Sequence, residues 1–523
     1  MESHHSSKTS NCGAMEEEDR LSSLPDDLLH AILRGLPLKQ AVRTSALSRR
    51  WASQWLRALA ASRVLDLTDR DFARGQPPAR AAATVSRCLR LHAEHGAPLD
   101  VLRVALASPP SSGAAGPSDG SFGRDVVGWI AAAVRRGARE VEVDVLHLTA
   151  FLELELPGDL FQVRNSLERV ALGGLSLRAV PLPAAGLAGL RSLSLSHADV
   201  TDEAVRGILA SCGALESLSL RSCSLPTSVS IASERLRDLQ LLGCRAVLQE
   251  LRVAALALES LTLYGQVCWR EPEQIWQEAY PVFFDFGNMP ALRDAYLSHV
   301  GCGDYNIVHD MAYPYLYYVV AHARILTLCS IGLLLLYQHG WDESAFREMP
   351  KLEELQLLLA SPPEPCFYRS NEDQEHVSSF FMLTPLPVLQ RLFLRLPSDP
   401  GYGWSSSAAA RDEETDDADM TLEHEIVLGQ LTFIKVVNFR GTRRELRLLA
   451  FFLKRAPSLE QLVLVTPEEE EAPADLKAMR ERVSELQRPR REARVSVCRP
   501  KEDDSPNHAH TRIFHEDDEY ICD

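Results

Sequence analysis

Residue types that can act as nucleophiles, acid–base groups or metal ligands are spread along this chain without the spacing that catalysis requires. His92 and His95 share one helical face, but no cysteine or acidic cluster with ligand spacing accompanies them. The 11 cysteines include no Cys-x-x-Cys pair, which argues against a zinc site and against a disulfide framework. Gly301 and Gly303 lack the third glycine of a phosphate-binding loop. We therefore expect no catalytic residue, no metal site and no cofactor.

The chemistry that the sequence does offer is apolar contact near the amino end. Pro25 fits the first turn of a helix, and Asp26 and Asp27 place negative charge at the positive end of the helix dipole. A helix should therefore begin there, and Gly35 with Pro37 should end it. Its apolar face is predicted to consist of Leu28, Leu29, Ile32, Leu33 and Leu36.

A second apolar run follows directly, from Leu38 to Trp55. Thr44 and Ser45 interrupt this run, so it is predicted to form two short helices. Three short helices bury too little apolar surface to be stable alone. Their exposed leucine and tryptophan side chains should therefore contact a partner.

The segment from Asp19 to Trp55 resembles an F-box. The resemblance implies a binding site for the Skp-type adaptor of a cullin–RING ubiquitin ligase, formed by Leu24, Pro25, Leu28, Ile32, Leu33, Val42, Leu47 and Trp51. Between Asp19 and Arg63 there are eight lysine or arginine and three aspartate residues, a net charge of +5, in a chain whose net charge is −17. A basic module suits an acidic adaptor. The alternative is a small helical hairpin that packs against its own chain.

A Leu-x-x-Leu-x-Leu pattern recurs further along the chain, at intervals of 21 to 25 residues. This period is typical of leucine-rich repeats, in which each unit forms a short strand followed by a helical or irregular return. The five regular matches are Leu167-Val170-Leu172, Leu190-Leu193-Leu195, Leu215-Leu218-Leu220, Leu236-Leu239-Leu241 and Leu258-Leu261-Leu263.

Looser matches extend the pattern in both directions. A single irregular α/β solenoid should run from about Val64 to Val465, because no repeat can bury its own apolar face. The alternative is a generic α/β domain that is rich in leucine. Strands of degenerate repeats are predicted at Val64–Leu67, Leu102–Val104 and Val141–Val143, and further matches begin at Leu292, Ala323, Leu352, Leu389 and Leu459.

The segment from Leu431 to Glu460 resembles the FBD motif, which follows leucine-rich repeats in many plant F-box proteins. Its residues predict a strand, a turn at Gly441, an amphipathic helix and one more strand. Such a segment should cap the exposed end of the solenoid.

Residues that alternate with the inward leucines should line the concave face of the parallel sheet. We expect this face to bind a target protein through Ser194, Ser219, Arg221, Gln240, Thr262, Tyr264 and Tyr296. The change from serine to tyrosine along the row predicts stronger binding beyond its middle, because aromatic residues dominate binding energy. Cys223 and Cys244 lie three residues after the last leucine of their repeats, where a buried structural role is favoured.

Charge and hydropathy limit the partners and the location. The net charge of −17 argues against nucleic acid as a partner. Met1 to Asp19 lacks the apolar core of a secretory signal, and the apolar stretch from Met311 to Trp341 is too interrupted to span a membrane. We therefore expect an intracellular protein, in the cytoplasm and/or the nucleus, without a membrane partner. A basic cluster consists of Arg488, Arg490, Arg491 and Arg494, and its two interpretations are a nuclear-import patch and a solvated helix face, of which the second is the more common.

These patterns together predict a non-enzymatic α/β protein. The implied function is substrate recognition in a Skp–cullin–F-box type E3 ubiquitin ligase. A leucine-rich-repeat scaffold and a small-molecule sensor, neither engaged with the ligase, stay open as alternatives. The predicted order is a disordered terminus (1–18), a three-helix F-box (19–63), a leucine-rich-repeat solenoid (64–425) with loops at 107–123 and 405–425, an FBD-like cap (426–466) and a charged, loosely ordered tail (467–523).

Overall fold

A computed structural model describes residues 23–36, 38–68, 78–106, 121–145, 165–177, 180, 184–246, 249–266, 268–269, 280–300, 319–330, 332–333, 348–359, 372–396, 426–467, 476–486 and 493–510. The chain divides into two compact units, Met1–Ala150 and Phe151–Asp523. The first unit holds the predicted F-box together with three strands. The second unit holds the regular leucine-rich repeats.

Short helices begin the described part of the first unit, as the sequence predicts. Pro25 precedes the first helix, where its missing amide hydrogen costs nothing, and the helix ends before Gly35. The last helix begins at Gln54 and extends beyond the predicted run to Ala60. The helices are α1 (Asp26–Arg34), α2 (Leu38–Arg43) and α3 (Gln54–Ala60), with 3-10 turns at Thr44–Ala46 and Trp51–Ser53.

The rest of the first unit is a parallel sheet with connecting helices. The order along the chain is β1 (Val64–Leu67), α4 (Pro78–Glu94), β2 (Val101–Ala105), α5 (Ser121–Arg135) and β3 (Glu140–Asp144). β2 pairs with β1 and with β3, in parallel, and α4 contacts both α3 and α5. His92 is buried and its Nε2 bonds to the Ser62 carbonyl, so this ring ties α4 to the residues that follow α3.

The start of α5 corrects one predicted boundary. Residues 121–123 were expected to end a loop, but they form the first turn of the helix. Burial of Phe122 accounts for this difference, because its ring packs edge-on against Trp129, about two helical turns later. Residues 107–120 of the predicted loop, the whole predicted loop at 405–425 and the predicted disordered terminus at 1–18 lie outside the described residues.

Twelve parallel strands form the main sheet of the described part of the second unit. Each of the ten Leu-x-x-Leu-x-Leu matches coincides with one of them, so these predicted strand positions are confirmed. In sheet order they are β4 (Arg169–Gly173), β5 (Ser192–Ser196), β6 (Ser217–Arg221), β9 (Asp238–Leu242), β12 (Ser260–Gln266), β16 (Asp294–Val300), β17 (Ile325–Cys329), β18 (Glu354–Leu358), β19 (Arg391–Arg395), β20 (Phe433–Val437), β21 (Gln461–Val465) and β22 (Arg494–Cys498).

Inward leucines hold these strands in one register. Leu193 pairs with Leu218, and Leu195 pairs with Leu220, so the same two rows of apolar side chains continue from strand to strand. All four side chains are buried. A shift by one residue would turn both rows to the opposite face, and the burial of these leucines therefore specifies the register.

The described parts of the return segments include helices, short strands and a 3-10 turn at Ala185–Leu187. The helices are α6 (Asp202–Ser211), α7 (Glu372–Leu383), α8 (Arg443–Arg455) and α9 (Leu476–Glu485). Among the described residues a small parallel sheet contains β8 (Ser228–Ala232), β11 (Glu250–Ala254) and β15 (Phe283–Phe286). Two further pairs are β7 (Ser224–Leu225) with β10 (Arg245–Ala246) and β13 (Cys268–Trp269) with β14 (Tyr280–Pro281).

The carboxyl-terminal region corrects the prediction of a loosely ordered tail after residue 466. The FBD-like segment has the predicted order of β20, a turn at Gly441, α8 and β21. However, α9 and β22 follow it, and β22 pairs with β21 along its full length. The last strand of the described sheet therefore comes from the supposed tail, and not from the FBD-like segment. Arg494, one of the four arginines of the basic cluster, is the first residue of this strand.

No helix in the described residues is long and apolar enough to cross a membrane.

Candidate functional site

Four exposed aliphatic side chains mark the first candidate site, which we name the F-box apolar surface. Leu28 and Ile32 are one helical turn apart on α1, Val42 is on α2, and Leu47 follows the 3-10 turn after α2. Leu47 is 58% exposed and Leu28 is 52% exposed. Of the nine large apolar side chains that are exposed in the described residues, these four lie within 20 consecutive positions. Such clustering indicates a surface that is built for contact.

The other predicted adaptor-binding residues divide into two groups. Leu24 is partly buried against the helical core, and Pro25 is exposed. Leu33 and Trp51 are buried, with Trp51 only 2% exposed. These last two residues belong to the core that Leu29, Ala41 and Ala58 complete, so they support the surface from below and do not form part of it.

Polar contacts connect α1 to the residues that lead into α3. Arg50 binds Asp26 with an N–O distance of 2.6 Å, and this bond, more than any other cause, lowers the pKa of the Asp26 carboxyl. His30 Nε2 and Gln54 Oε1 are 2.8 Å apart. These contacts fix the helix that carries Leu28 and Ile32 without using either side chain.

The second candidate site is the outer face of the main sheet. One residue from each strand, located between the two inward side chains, forms a continuous row that we name the central row. Successive members are paired across neighbouring strands. In order they are Ala171, Ser194, Ser219, Gln240, Thr262, Tyr296, Thr327, Gln356, Phe393, Lys435, Val463 and Ser496.

Five of the seven predicted target-binding residues therefore lie on adjacent strands of the central row: Ser194, Ser219, Gln240, Thr262 and Tyr296. The other two, Arg221 and Tyr264, lie two positions further along β6 and β12, on the same face. Ser219 donates a hydrogen bond to Gln240 Oε1 at 3.3 Å. The sequence-predicted residues are thus brought together on one face.

Exposure along the central row corrects part of that prediction. Ser194, Ser219, Gln240, Arg221 and Tyr264 are partly exposed. Thr262 is buried, and Tyr296 is 0% exposed. One of the two tyrosines that are predicted to strengthen binding is therefore covered in this structure, because His510 packs against it.

Residues 503–510, which we name the overlying segment, cross the carboxyl-terminal half of the central row. Lys435 is 1% exposed, and its Nζ contacts Asp503 Oδ2 at 2.6 Å, Asn507 Oδ1 at 2.6 Å and the Pro506 carbonyl at 3.3 Å. Burial raises the pKa of Asp503, but hydrogen bonds from Lys435 and Ser505 outweigh burial and leave that pKa below its ordinary value. The lysine is thus enclosed by acceptors from a segment distant in sequence.

Two histidines continue the contact toward Tyr296. His508 Nε2 lies 3.4 Å from Glu354 Oε1, and the ring packs edge-on against Phe393. Burial, followed by the nearby His510 and Arg391, holds the pKa of His508 well below its ordinary value. The Glu354 carboxylate would favour a charged ring, but it is bound to Arg391 and also accepts a hydrogen bond from the Ala509 amide.

His510 completes the overlying segment. Its Nδ1 is 2.9 Å from Thr327 Oγ1, its Nε2 is 3.5 Å from Asp294 Oδ1, and its ring packs edge-on against Tyr296 with centroids 5.6 Å apart. Both imidazoles are therefore held by hydrogen-bonding or charged groups on one side and by an aromatic ring on the other.

Sequence reasoning missed Lys435, Glu354 and the residues that bind them. The strand position of Lys435, between the inward Ile434 and Val436, shows that it belongs to the central row. That position alone does not reveal that the lysine is buried, because its partners lie about 70 residues further along the chain. The sequence signal is limited to His508 and His510, whose spacing of two residues would place both imidazoles on one side of an extended segment.

The repeat cysteines have the structural role that the sequence favours. Cys223 Sγ donates to the Leu195 carbonyl at 3.4 Å, and Cys244 Sγ donates to the Leu220 carbonyl at 3.3 Å. Burial raises the pKa of Cys223 to about 11 and that of Cys244 to about 12. Each thiol thus satisfies the backbone of the preceding strand. Within the described ranges no group of three or more metal-ligating side chains is found.

Three family models match the chain in the order that the geometry indicates. The F-box domain matches residues 21–58, which contain the F-box apolar surface. The model described as "FBD-associated F-box protein At5g56370, LRR repeats" matches residues 126–279, and the FBD model matches residues 425–464. The last match ends before β22 and the overlying segment.

Individual relatives come from Arabidopsis thaliana. F-box protein At5g03100 is 30% identical over 43% of this chain and 64% of its own length. F-box/LRR-repeat protein At3g03360 is 29% identical over 42% of each chain, so this chain spans less than two thirds of both relatives. FBD-associated F-box protein At5g50270 is 25% identical over 86% of this chain and 97% of its own. The chain thus matches F-box, leucine-rich-repeat and FBD models in that order, and the proteins that it resembles include plant F-box/LRR-repeat and FBD-associated F-box proteins.

Proposed function

We propose that the chain is the substrate-recognition subunit of a Skp–cullin–F-box type E3 ubiquitin ligase. The observation that carries this proposal is the F-box apolar surface, which lies within the family match and leaves four large aliphatic side chains exposed. Burying such side chains against another protein is favourable. The proposed partner is a Skp-type adaptor and, through it, a cullin–RING assembly.

The adaptor-binding residues fall into contacting and supporting positions. Leu28, Ile32, Val42 and Leu47 would contact the adaptor, with Leu24 and Pro25 at the edge of the contact. Leu33 and Trp51 would act indirectly, by holding α1 and the 3-10 turns in place. The net positive charge of the segment from Asp19 to Arg63 would speed association with an acidic adaptor.

The second unit would hold a target protein near the ubiquitin-charged enzyme that the assembly supplies. Catalysis would then come from proximity, and the chain itself would contribute no reacting side chain. In this proposal the strands of the main sheet belong to an irregular leucine-rich-repeat solenoid. The protein would act inside the cell, in the cytoplasm and/or the nucleus.

Adaptor binding by paired variants tests the proposal. Replacing two neighbouring contacts, Leu28→Ala with Ile32→Ala, should weaken binding of a Skp-type adaptor by about 2 kcal/mol, or about 30-fold. Both side chains are exposed, so the unfolding temperature should change little. Isothermal titration calorimetry measures the first quantity, and thermal unfolding measures the second.

Leu256→Ala provides the control, because Leu256 is even more exposed than Leu28 and Ile32 but lies in the second unit. Its adaptor affinity should equal that of the unchanged chain. If the unchanged chain does not bind the adaptor at all, the proposal fails, and the alternatives of a repeat scaffold or a small-molecule sensor take its place. If the double variant and the control bind equally well, the adaptor docks elsewhere on the chain.

A further inference from the structure

The surface beneath the overlying segment has the composition of a binding site and not of a protein core. Lys435, Glu354 and Thr327 are buried polar residues on three strands of the main sheet. Core packing does not explain them, since burying unpaired charge is costly. The overlying segment supplies all the partners of Lys435 that are described above. Glu354, in contrast, binds Arg391 as well as the Ala509 amide, and Thr327 contacts Gln356 as well as His510.

The overlying segment itself is held by side chains. Residues 503–510 form neither helix nor strand, and Asp504, Pro506, Asn507 and Ala509 are exposed. The segment therefore lies on the sheet without forming a further strand of it. Recognition of this kind depends on which side chains occur at which spacing, as in the binding of an extended peptide.

We propose that this surface is a binding site for an extended segment of a partner protein, and that residues 503–510 are a built-in occupant which the partner must displace. The partner segment would present a carboxylate to Lys435 and, about five residues later, an imidazole to Glu354 and Phe393. If the partner is the target of the ligase, that identification rests on the proposed function. The existence of the binding site does not depend on the proposed function.

The chemistry of Lys435 dictates the carboxylate. Once the overlying segment leaves, the ammonium group is wetted, and any occupant that covers it again must supply a negative group. Glu354 has less need of a partner group, because Arg391 already neutralises its charge. The carboxylate should therefore be the strictest requirement for a displacing partner.

A synthetic peptide tests the inference on the full chain. The probe is a fluorescein-labelled peptide with the sequence of residues 500–510, and its binding is measured by fluorescence anisotropy. The unchanged chain should bind it weakly, because the site is filled. Asp503→Asn in the chain should loosen the overlying segment and strengthen peptide binding at least tenfold. A peptide that carries the same Asp503→Asn change should bind at least tenfold more weakly than the unchanged peptide.

Asp504→Asn in the chain is the matched control, since this neighbouring carboxylate is exposed and should leave peptide binding unchanged. Hydrogen–deuterium exchange reports in parallel whether residues 503–510 have been released. The inference would be overturned if Asp503→Asn released residues 503–510 but the peptide still bound no more strongly. It would also be overturned if these residues were equally protected from exchange in Asp503→Asn and Asp504→Asn.

Asp503→Asn leaves Lys435 without its carboxylate and could misfold for that reason, so a second variant is needed. His508→Ala with His510→Ala removes both imidazoles and leaves the Lys435–Asp503 pair intact. It should also strengthen peptide binding, and failure to do so in a folded chain with a released segment would overturn the inference. Adaptor binding by the F-box apolar surface should be unchanged in every variant, so failure here is distinct from failure of the proposed ligase function.

Discussion

Leu28 and Leu29 are neighbours in sequence, yet one side chain is exposed and the other is fully buried. An α-helix turns by about 100° per residue, so Leu28 and Ile32 form one stripe while Leu29 and Leu33 form another. The sequence predicts that the helix is apolar and where it begins. It does not show which stripe faces the core, because both contain only aliphatic residues. The position of Trp51, opposite the inner stripe, decides this.

The repeat thiols should be chemically inert in the folded chain. Because burial raises the pKa of Cys223 to about 11, only about one thiol in a thousand is ionised at pH 8, whereas an ordinary thiol with a pKa near 8.5 ionises readily. We expect iodoacetamide at pH 8 to leave Cys223 and Cys244 unmodified, as peptide mass spectrometry would show. In guanidinium chloride both should react. Fast modification of Cys223 without denaturant would contradict its buried structural role.

At the scale of single elements, the capping box of α8 has a measurable effect. Thr442 Oγ1 accepts a hydrogen bond from the Glu445 amide, and Glu445 Oε2 accepts one from the Thr442 amide. Thr442→Ala should therefore lower the free energy of unfolding by about 1 kcal/mol, as measured by urea denaturation. Thr442→Ser retains the hydroxyl and should cost much less. Equal losses in the two variants would show that the methyl group, and not the cap, matters.

The overlying segment should be released by acid. A free histidine has a pKa near 6.5, and the bound His508 has a much lower one. His508 therefore takes up a proton more readily when the overlying segment is released from the sheet. The segment is bound most stably above pH 6.5, and its binding weakens as the pH falls below that value. From pH 7.5 to 5.5 the binding equilibrium should shift about tenfold toward release. The groups that face His508 are Glu354, Arg391 and His510.

Hydrogen–deuterium exchange of residues 503–510 measures this shift, after correction for the intrinsic pH dependence of amide exchange. The variant His508→Ala provides the control, because its exchange should depend much less on pH. Exchange that follows the intrinsic rate alone in the unchanged chain would contradict the prediction.

At the scale of the whole molecule, the second unit should require the residues that follow the FBD match. Termination after Thr466 removes α9, β22 and the overlying segment, which leaves β21 as an unpaired edge and Lys435 without its carboxylate. We expect this shortened chain to aggregate or to unfold at a clearly lower temperature. Size-exclusion chromatography and thermal unfolding measure both effects.

Termination after His510 is the control for that experiment. This chain keeps α9, β22 and the contacts of the overlying segment with the other described residues, so it should behave like the full chain. Equal thermal stability of the two shortened chains would show that the FBD-like segment is a sufficient end for the sheet, as the sequence alone had predicted.

Spacing predicted the main sheet well because each strand is encoded locally. Two inward leucines with one residue between them identify a strand, and a period near 22 residues stacks it on the next. β22 escaped prediction because its run from Arg494 to Cys498 follows a charged helix and lacks leucine. The small sheet of β8, β11 and β15 escaped because its strands occupy return positions, where the repeat pattern imposes no residue type.

The sequence by itself determined the order of F-box, repeats and FBD-like segment, the positions of the repeat strands and the structural role of the repeat cysteines. These features depend on residues close together in the chain. Only the tertiary structure decided which leucines of α1 face outward and that residues 503–510 cover Tyr296 and Lys435. Both outcomes depend on contacts between distant segments, where burial changes the environment of a side chain without leaving a periodic pattern in the sequence.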